Sequence, residues 1–416
     1  MKIGVIGCGL AGMAAAAFLS RSGHDVEILE RAPEPRPIGA GLLLQPPGIE
    51  ILCELGAHSH LAATAGRITR LDSRTSAGVR LIDLDYTARH PDAHGLGLMR
   101  PSIWSALLAS ALSAGARVRA DHTVDAVHSE AGRAIVHVNG RDALHYELAV
   151  VAAGTHSALG PNGLRRVSRL YPWGCLWMTV ELPRGWPLHV LQQRCIGTRV
   201  MVGILPTGTV NGRNVAALYW SVRNDLIDSW RERPLSAWRR EVATAWPEAA
   251  DLVAPLARED IQHAIYRDVW ADPPHRGNVI AIGDAAHGTS PQLGQGATLA
   301  LRDAAALAEC LTPERALETS LQHYWRGRRR QTAYYRLASR ALTPVFQSDS
   351  SFLGMLRDGL ARSVNWLPFV RRQALMTLIG AKTGIWTYDG EALRRENGDQ
   401  IALRQTTKPE RMASLS

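Results

Sequence analysis

The chain has few phenylalanines, four against twelve tryptophans, and only five cysteines, Cys8, Cys53, Cys175, Cys195 and Cys310. The cysteines are odd in number and widely scattered. No CxxC pair or Cys/His spacing is present, so neither a metal centre nor a disulfide framework is expected, and a reduced, cytoplasmic protein fits best. No uninterrupted apolar run reaches the ~18–20 residues a membrane span needs, so no transmembrane segment is expected. Lys2 ahead of an apolar run imitates a secretory signal, but the helix-breaking glycines and the acids Glu27 and Glu30 argue against one. Internal repeats and low-complexity segments are also lacking.

Charge of one sign is nowhere concentrated. The 47 basic and 38 acidic residues give +9, with the excess spread along the chain. The densest cluster, Arg326, Arg328, Arg329 and Arg330, falls on an expected helix with Tyr324 and Trp325. It reads as a solvated helix face, and no nucleic-acid partner is expected. An anionic substrate or cofactor would benefit from the excess. At 416 residues, two domains are expected.

What is present is concentrated at the start. Gly7-Cys8-Gly9-Leu10-Ala11-Gly12 follows an apolar strand (Ile3 to Ile6) and opens an alanine-rich helix (Leu10 to Ser22) closed by Gly23. A second strand, Val26 to Leu29, delivers Glu30 at its tip. Gly7 permits the tight turn, Gly9 lets a pyrophosphate approach, and Gly12 lets the helix pack on the sheet. The helix N-terminus faces the diphosphate with unpaired N–H groups, and Glu30 is placed to accept hydrogen bonds from a ribose.

Further along, a Pro/Gly-rich passage (33–48) carries Gly39-Ala40-Gly41, and a short helix is expected from Ile49 to Leu55. Residues 68–98 read as one or two irregular strands. Arg100-Pro101 opens a helix that Gly115 closes, and strands follow to Ala152, with turns at Ser129–Gly132 and Asn139-Gly140. Residues 166–270 read as an antiparallel sheet (Trp173 to Glu181, Arg199 to Leu205, Ala216 to Arg223, Ile261 to Val269) with a helix near Pro234 to Thr244. From Gly296 to about Ile385 the pattern is helical, with breaks near Pro344, Gly354 and Pro368.

A second motif follows the strand Val279 to Ile282. It reads Gly283-Asp284-Ala285-Ala286-His287, then Pro291, the turn Gly294-Gln295-Gly296, and a helix bearing Asp303-Ala304. Together with the N-terminal GxGxxG it resembles the FAD-dependent aromatic hydroxylases of the p-hydroxybenzoate hydroxylase type, single-component flavoprotein monooxygenases, over roughly residues 1–340. The resemblance implies FAD as cofactor, NAD(P)H as electron donor, and hydroxylation of an aromatic or heteroaromatic small molecule with O2 through a flavin C4a-hydroperoxide.

The resemblance also implies an α/β fold. Residues 1–70, 98–165 and 271–340 would form a discontinuous Rossmann-type FAD-binding domain. Residues 71–97 and 166–270 would form an inserted antiparallel-sheet substrate domain, 341–390 C-terminal helices and 391–416 a polar tail. The assembly is expected to be a monomer or homodimer.

Asp284 can accept a hydrogen bond from a ribityl hydroxyl. The N–H groups of Gly294 to Gly296 can face the pyrimidine edge of the flavin, where negative charge gathers on reduction. By resemblance, Pro291 lies at the ring where oxygen reacts, Arg100 lies by the ribityl and diphosphate, and Arg36 to Gly41 form a mobile segment beside the ring. Gln45-Pro46 fits the family pattern, while Pro47 stands where an asparagine is common. The expected cofactor contacts are Gly7, Gly9, Leu10, Ala11, Gly12, Glu30, Arg31, Gly41, Arg100, Gly154, Asp284, Pro291, Gly294, Gly296 and Ala297. His287 and Asp303 are read as ordering the loop and pairing structurally.

One departure stands out. The family motif A-D-G-x-x-S reads here Ala152-Ala153-Gly154-Thr155-His156-Ser157, with alanine at the aspartate position. NAD(P)H with altered contacts, another electron source, or a different flavin reaction would each accommodate it.

For the substrate, period-two alternation puts Trp173, Cys175, Trp177 and Thr179 on one strand face, with Gly174, Leu176, Met178 and Val180 on the other. Neighbouring strands offer Gln192, Arg194, Tyr219, His263 and Tyr266. Trp177, Arg194 and Tyr219 are the candidate substrate contacts, and His263 and Tyr219 are candidates for a catalytic base. Rival readings are a flavin oxidase or dehydrogenase on a non-aromatic substrate, and a flavin-bearing ligand-binding protein. The W-x-W-x-I-P signature of flavin halogenases is absent.

Overall fold

A computed structural model describes residues 1–37, 39–159 and 166–388, so the polar tail expected from residue 391 lies outside it. Six strands lie side by side in the order His275–Arg276, Val279–Ala281, Leu148–Val151, Lys2–Ile6, Asp25–Leu29, Arg117–Arg119. All neighbours are parallel except the first pair. Ile3, Val5 and Leu148 to Val151 are all buried, as expected of a sheet covered on both faces. Helix Leu10–Arg21 makes the crossover between the first two strands in sequence. Its run Ala14 to Ala17 is fully buried: four successive residues point nearly all round the helix, so these methyls meet helices Arg100–Ser113 and Gly296–Cys310 as well as the sheet.

Helices Leu10–Arg21, Arg100–Ser113 and Gly296–Cys310 share one apolar cluster with that sheet. Its opposite face is covered by a three-stranded antiparallel sheet, Val124–Glu130, Arg133–Val138 and Leu144–Tyr146. Gly4 admits the ring of Tyr146 there, since a β-carbon at 4 would lie 2.7 Å from that ring.

A second sheet has seven strands, in the order Gln262–Ala271, Arg166–Glu181, Arg213–Arg223, Val200–Val210, Val190–Ile196, Arg70–Thr75, Arg80–Asp85. It is antiparallel apart from one parallel pair, Val190–Ile196 with Arg70–Thr75. The strand expected to carry Gln192 and Arg194 is Val190–Ile196, and its parallel pairing was not expected from the sequence. A three-stranded sheet (Gly41–Leu44, Gly95–Met99, Gly66–Ile68) joins the two layers. Its glycines are what permit the join: a β-carbon at Gly97 would lie 1.9 Å from the Pro206 carbonyl oxygen. The passage 33–48 is therefore not all loop, and the helix expected from Ile49 starts at Pro46.

The C-terminal helices are Leu317–Phe346, Ser351–Trp366 and Pro368–Leu378. The break at Pro368 is present. Pro344 and Gly354 lie inside helices, and the chain is interrupted between them, at 347–350.

Candidate active site

The two glycine motifs meet. Gly283 has φ +57°, and a β-carbon there would lie 3.0 Å from Cβ of Ala11, so the GDAAH turn sits against the first helix. At the first motif, Gly7 has φ +108° and donates its N–H to the Leu29 carbonyl at 2.9 Å. A β-carbon at Gly12 would lie 2.0 Å from the Gly7 carbonyl oxygen, whereas one at Gly9 would meet no protein atom within 4 Å. That open space, over a helix N-terminus with no capping side chain and no acid in its first turn, fits a diphosphate. The Glu30 carboxylate accepts from the N–H groups of Cys8 (2.9 Å) and Ala32 (3.0 Å), which ties the strand tip to the turn. Leu10 opens the helix and is partly exposed, and Arg31 is exposed just past the strand tip. Trp104, which sequence reasoning missed, donates its indole N–H to the Cys8 carbonyl at 2.9 Å.

At the second motif, Pro291–Leu293 form one turn ended by Gly294 at φ +60°, and helix Gly296–Cys310 starts without a capping side chain or an acid in its first turn. Asp284, Pro291 and Gly296 are exposed, and Ala297 is partly so. A β-carbon on Gly296 would lie 3.7 Å from Asp284 Oδ1. Gln45 Nε2 and Gln295 Oε1 are buried without a hydrogen-bond partner, and Gln45 Nε2 lies 3.8 Å from where a β-carbon on Gly294 would be. Gln295 Oε1 is turned to the C-terminal segment, 3.0 Å from where a β-carbon on Gly380 would be, whereas the orphan donor of Gln45 beside a bare helix start fits a carbonyl-bearing edge of an isoalloxazine.

Behind this loop lies a buried ion cluster. Asp303 accepts from the Gly283 N–H (2.9 Å), from Arg328 Nε (2.8 Å) and from His287 Nε2 (2.5 Å). Burial would raise the Asp303 carboxyl, but the His287 and Arg328 charges outweigh it and hold it well below the usual range. Burial likewise opposes charge on His287, and Asp303 overcomes this and raises it. Both residues order the loop. Arg328 corrects the reading of the 326–330 cluster as a solvated face: Arg326, Arg329 and Arg330 are exposed, whereas Arg328 is buried. The helix buries Leu321, Tyr324, Arg328, Gln331 and Tyr335, and that i, i+3, i+7 spacing was the signal available in the sequence.

Arg100 follows strand Gly95–Met99 and packs on the Gly39 turn, where a β-carbon would lie 2.7 Å from Arg100 Cδ. Gly41 touches the seven-stranded sheet, since its β-carbon would meet Thr207 Cγ2 at 2.7 Å and Ala217 Cβ at 2.9 Å. Gly154 has φ +75° and its β-carbon would face open space. Ala153 packs against an apolar cluster, and its Cα is 3.0 Å from where a Gly7 β-carbon would be.

The sheet register sorts the substrate candidates. Residues directly opposite on paired strands share a face. Trp177 faces Tyr219, with ring centroids 5.4 Å apart, and Tyr219 faces Gly203, which faces Gln193. Gln193 donates its amide N–H to the Tyr219 hydroxyl, and Trp177 donates its indole N–H to the Tyr266 hydroxyl at 3.0 Å. This face shares an apolar cluster with Ala40, Leu43 and Ile379.

His263 lies opposite Leu176, and Arg194 opposite Val202; both belong to the other face, which helices Ile227–Glu232, Leu235–Ala245 and Ala250–Val253 cover. Arg194 stacks over Trp246 at 4.6 Å, and His263 pairs with Asn224 at 3.0 Å. Arg194 and His263 are thus not brought to Tyr219 and Trp177. Gln192 lies opposite Ile204, on the same far face. Half of the eight tryptophans in 166–270, Trp220, Trp230, Trp238 and Trp246, are also core of that far layer, so the aromatic content was no guide to the pocket. Burial pushes the Tyr219 phenol far above its ordinary value. The neutral phenol is thereby the favoured form.

The family model described as FAD binding domain matches residues 1–334. The chain belongs to that family. It is 30% identical over 365 residues to 3-amino-4-hydroxybenzoate 2-monooxygenase of Streptomyces cremeus, covering 83% of this chain and 88% of the relative. It is 25% identical over 391 residues to 2-heptyl-3-hydroxy-4(1H)-quinolone synthase of Pseudomonas aeruginosa, covering 88% and 94%. Klebsiella pneumoniae HpxO, solved with FAD and uric acid, superposes with a TM-score of 0.75 at 20% identity, covering 91% of this chain and 97% of that one. This protein is an FAD-dependent monooxygenase of the aromatic hydroxylase kind, as its motifs implied.

Proposed function

We propose that the protein hydroxylates a planar aromatic or heteroaromatic small molecule held on the Trp177–Tyr219–Tyr266 face, with NAD(P)H as electron donor. The observation that carries this reading is the register, which sets those three aromatic side chains on the sheet face that also packs against Ala40 and Leu43. Bound FAD would supply the redox chemistry, by which two electrons of NAD(P)H and O2 yield one oxygen atom in the product and the other in water.

The chain's own residues bind, orient and keep water out. The open helix starts at Gly9–Leu10 and Gln295–Gly296 hold the diphosphate and the flavin edge, Glu30 the ribose, and Asp284 the ribityl chain. Gln45 Nε2 donates to the flavin edge. Trp177 and Tyr219 stack on the substrate, and the protonated Tyr266 and Tyr219 hydroxyls donate to its polar groups. The apolar cluster around Leu43, Leu205 and Ile379 excludes water. Residues 1–70, 98–165 and 271–340 act as the FAD-binding domain, with 71–97 and 166–270 as the substrate domain. The free cysteines and the lack of any helix able to cross a membrane among the described residues support a cytoplasmic location.

Rapid mixing with NADH or NADPH, with and without an aromatic panel, tests the reading. Flavin bleaching and a labelled oxygen atom in the product are expected. No bleaching under any condition removes NAD(P)H as donor, as the alanine at 153 would then explain. Peroxide with unlabelled product makes the protein an oxidase.

A further inference from the structure

Helix Ser351–Trp366 is turned inside out. Phe352, Met355, Leu356 and Leu360, at i, i+3, i+4 and i+8, are 66%, 66%, 45% and 51% exposed and form one apolar stripe. One arginine of the same helix, Arg357, points inward. Arg357 is buried over the Phe346 ring (5.4 Å) and donates to the carbonyls of Val345 (3.2 Å) and Gly197 (3.0 Å) and to Asp358 Oδ1 (2.8 Å). These bonds fix the helix's rotation, so the stripe cannot turn into the protein. The next helix continues the surface: Phe369 is 56% exposed and stacks on Trp386, 70% exposed, at 5.9 Å. An apolar stripe held outward by a buried arginine, with an exposed ring pair on the helix that follows, is a docking face.

Charge selects the occupant. Arg357 is paired with Asp358, and helix Pro368–Leu378 carries Arg371 and Arg372, both exposed, and no acid. A second copy would bring a like-charged surface to this one, whereas a phosphate headgroup layer brings the opposite charge. Exposed aromatic rings beside cations suit the boundary between headgroups and acyl chains. We propose that this face lays the protein on an anionic lipid surface, without spanning it.

The position bears on substrate entry. An open cleft of about 580 Å³ lies between helix Pro368–Leu378 and strand Arg80–Asp85. Leu84 and Leu375 line it, and both belong to the apolar cluster that contains Trp177 and Tyr219. Asp83, Asp85, Arg89, Arg371 and Arg372 line it as well, so docking would set a charged mouth, outside the cluster of Trp177 and Tyr219, at the headgroup layer.

The test is co-sedimentation of the FAD-loaded protein with vesicles of phosphatidylcholine alone and of phosphatidylcholine with about a third phosphatidylglycerol. Binding is expected to the anionic vesicles only, and to fall as salt is raised. The surface variant Leu356→Ser/Leu360→Ser should keep its bound flavin and lose about ten-fold or more in partitioning. Arg371→Gln should lose about five-fold. If the double variant fails to fold, the salt and lipid dependence of the unaltered protein still decides. Absence of binding, equal binding to both vesicles, or a dimer by light scattering that Leu356→Ser/Leu360→Ser dissolves would each overturn the proposal.

Discussion

Gly203 lies directly beneath the ring of Tyr219: a β-carbon at 203 would fall 2.0 Å from Tyr219 Cζ. The ring therefore rests on bare backbone of the neighbouring strand, facing Trp177. Gly203→Ala should leave the sheet intact and tilt the ring. The expected result is substrate affinity weakened by about ten-fold with flavin content unchanged, read by titrating flavin fluorescence or absorbance. Unaltered affinity would take Tyr219 out of the pocket.

The two faces of the sheet make a paired prediction. His263→Ala should leave kcat/KM within about two-fold, because His263 lies under the helical layer with Asn224. Tyr219→Phe should raise KM several-fold, about 1 kcal/mol, through loss of a hydroxyl donor. Steady-state kinetics on any accepted substrate separates them, and a large loss in His263→Ala would refute the face assignment.

Gly9 discriminates cofactor approach from folding. Its φ is −88°, which any residue adopts, and a β-carbon there meets no protein atom. Gly9→Ala should therefore keep the unfolding temperature of the flavin-free protein and weaken FAD retention by about ten-fold. Gly12→Ala should damage both, since its β-carbon would press on the Gly7 carbonyl at 2.0 Å.

Two adjacent arginines should behave differently. Arg328→Met strips a buried carboxylate of its guanidinium and should cost about 3–5 kcal/mol of stability. Arg329→Met, at an exposed site over Trp325, should cost about 0.5 kcal/mol or less. Denaturant titration of both variants checks the contrast, and equal losses would dissolve it.

His287 carries a pH signature. Its folded value is raised above the ordinary 6.5, so its ionic contribution is complete below 6.5 and is lost as pH climbs through the raised value. The stability gap between the protein and His287→Gln should be widest near about pH 6 and narrow toward about pH 9. Asp303 acts in the opposite sense, its contribution fading only in acid, as pH falls below its ordinary 3.8. A gap that does not change with pH would mean a neutral histidine.

Much of this was legible in the residues because it depends on short-range geometry. A glycine at 7, 12 or 283 is demanded by neighbours within the same turn or the contact it makes, and the strand-glycine-helix order shows it. The pairing of Arg328 with Asp303 was not legible, because 25 residues separate them. Helical spacing with Leu321 and Tyr324 could have marked Arg328 as the member that turns inward, but not the carboxylate it meets. The faces of strand Val190–Ile196 were equally hidden: that Gln193 lies on the Tyr219 face and Arg194 on the far one depends on their partners Gly203 and Val202.

By itself, then, the amino-acid order determined that two glycine turns open two helices for one dinucleotide, and hence the flavin chemistry, since each turn is specified by residues a few positions apart. Only the tertiary structure decided which aromatic side chains share a face with Tyr219 and which are core of the far layer. A strand's alternation names two faces but not which one is covered, and that depends on helices and strands brought in from elsewhere in the chain.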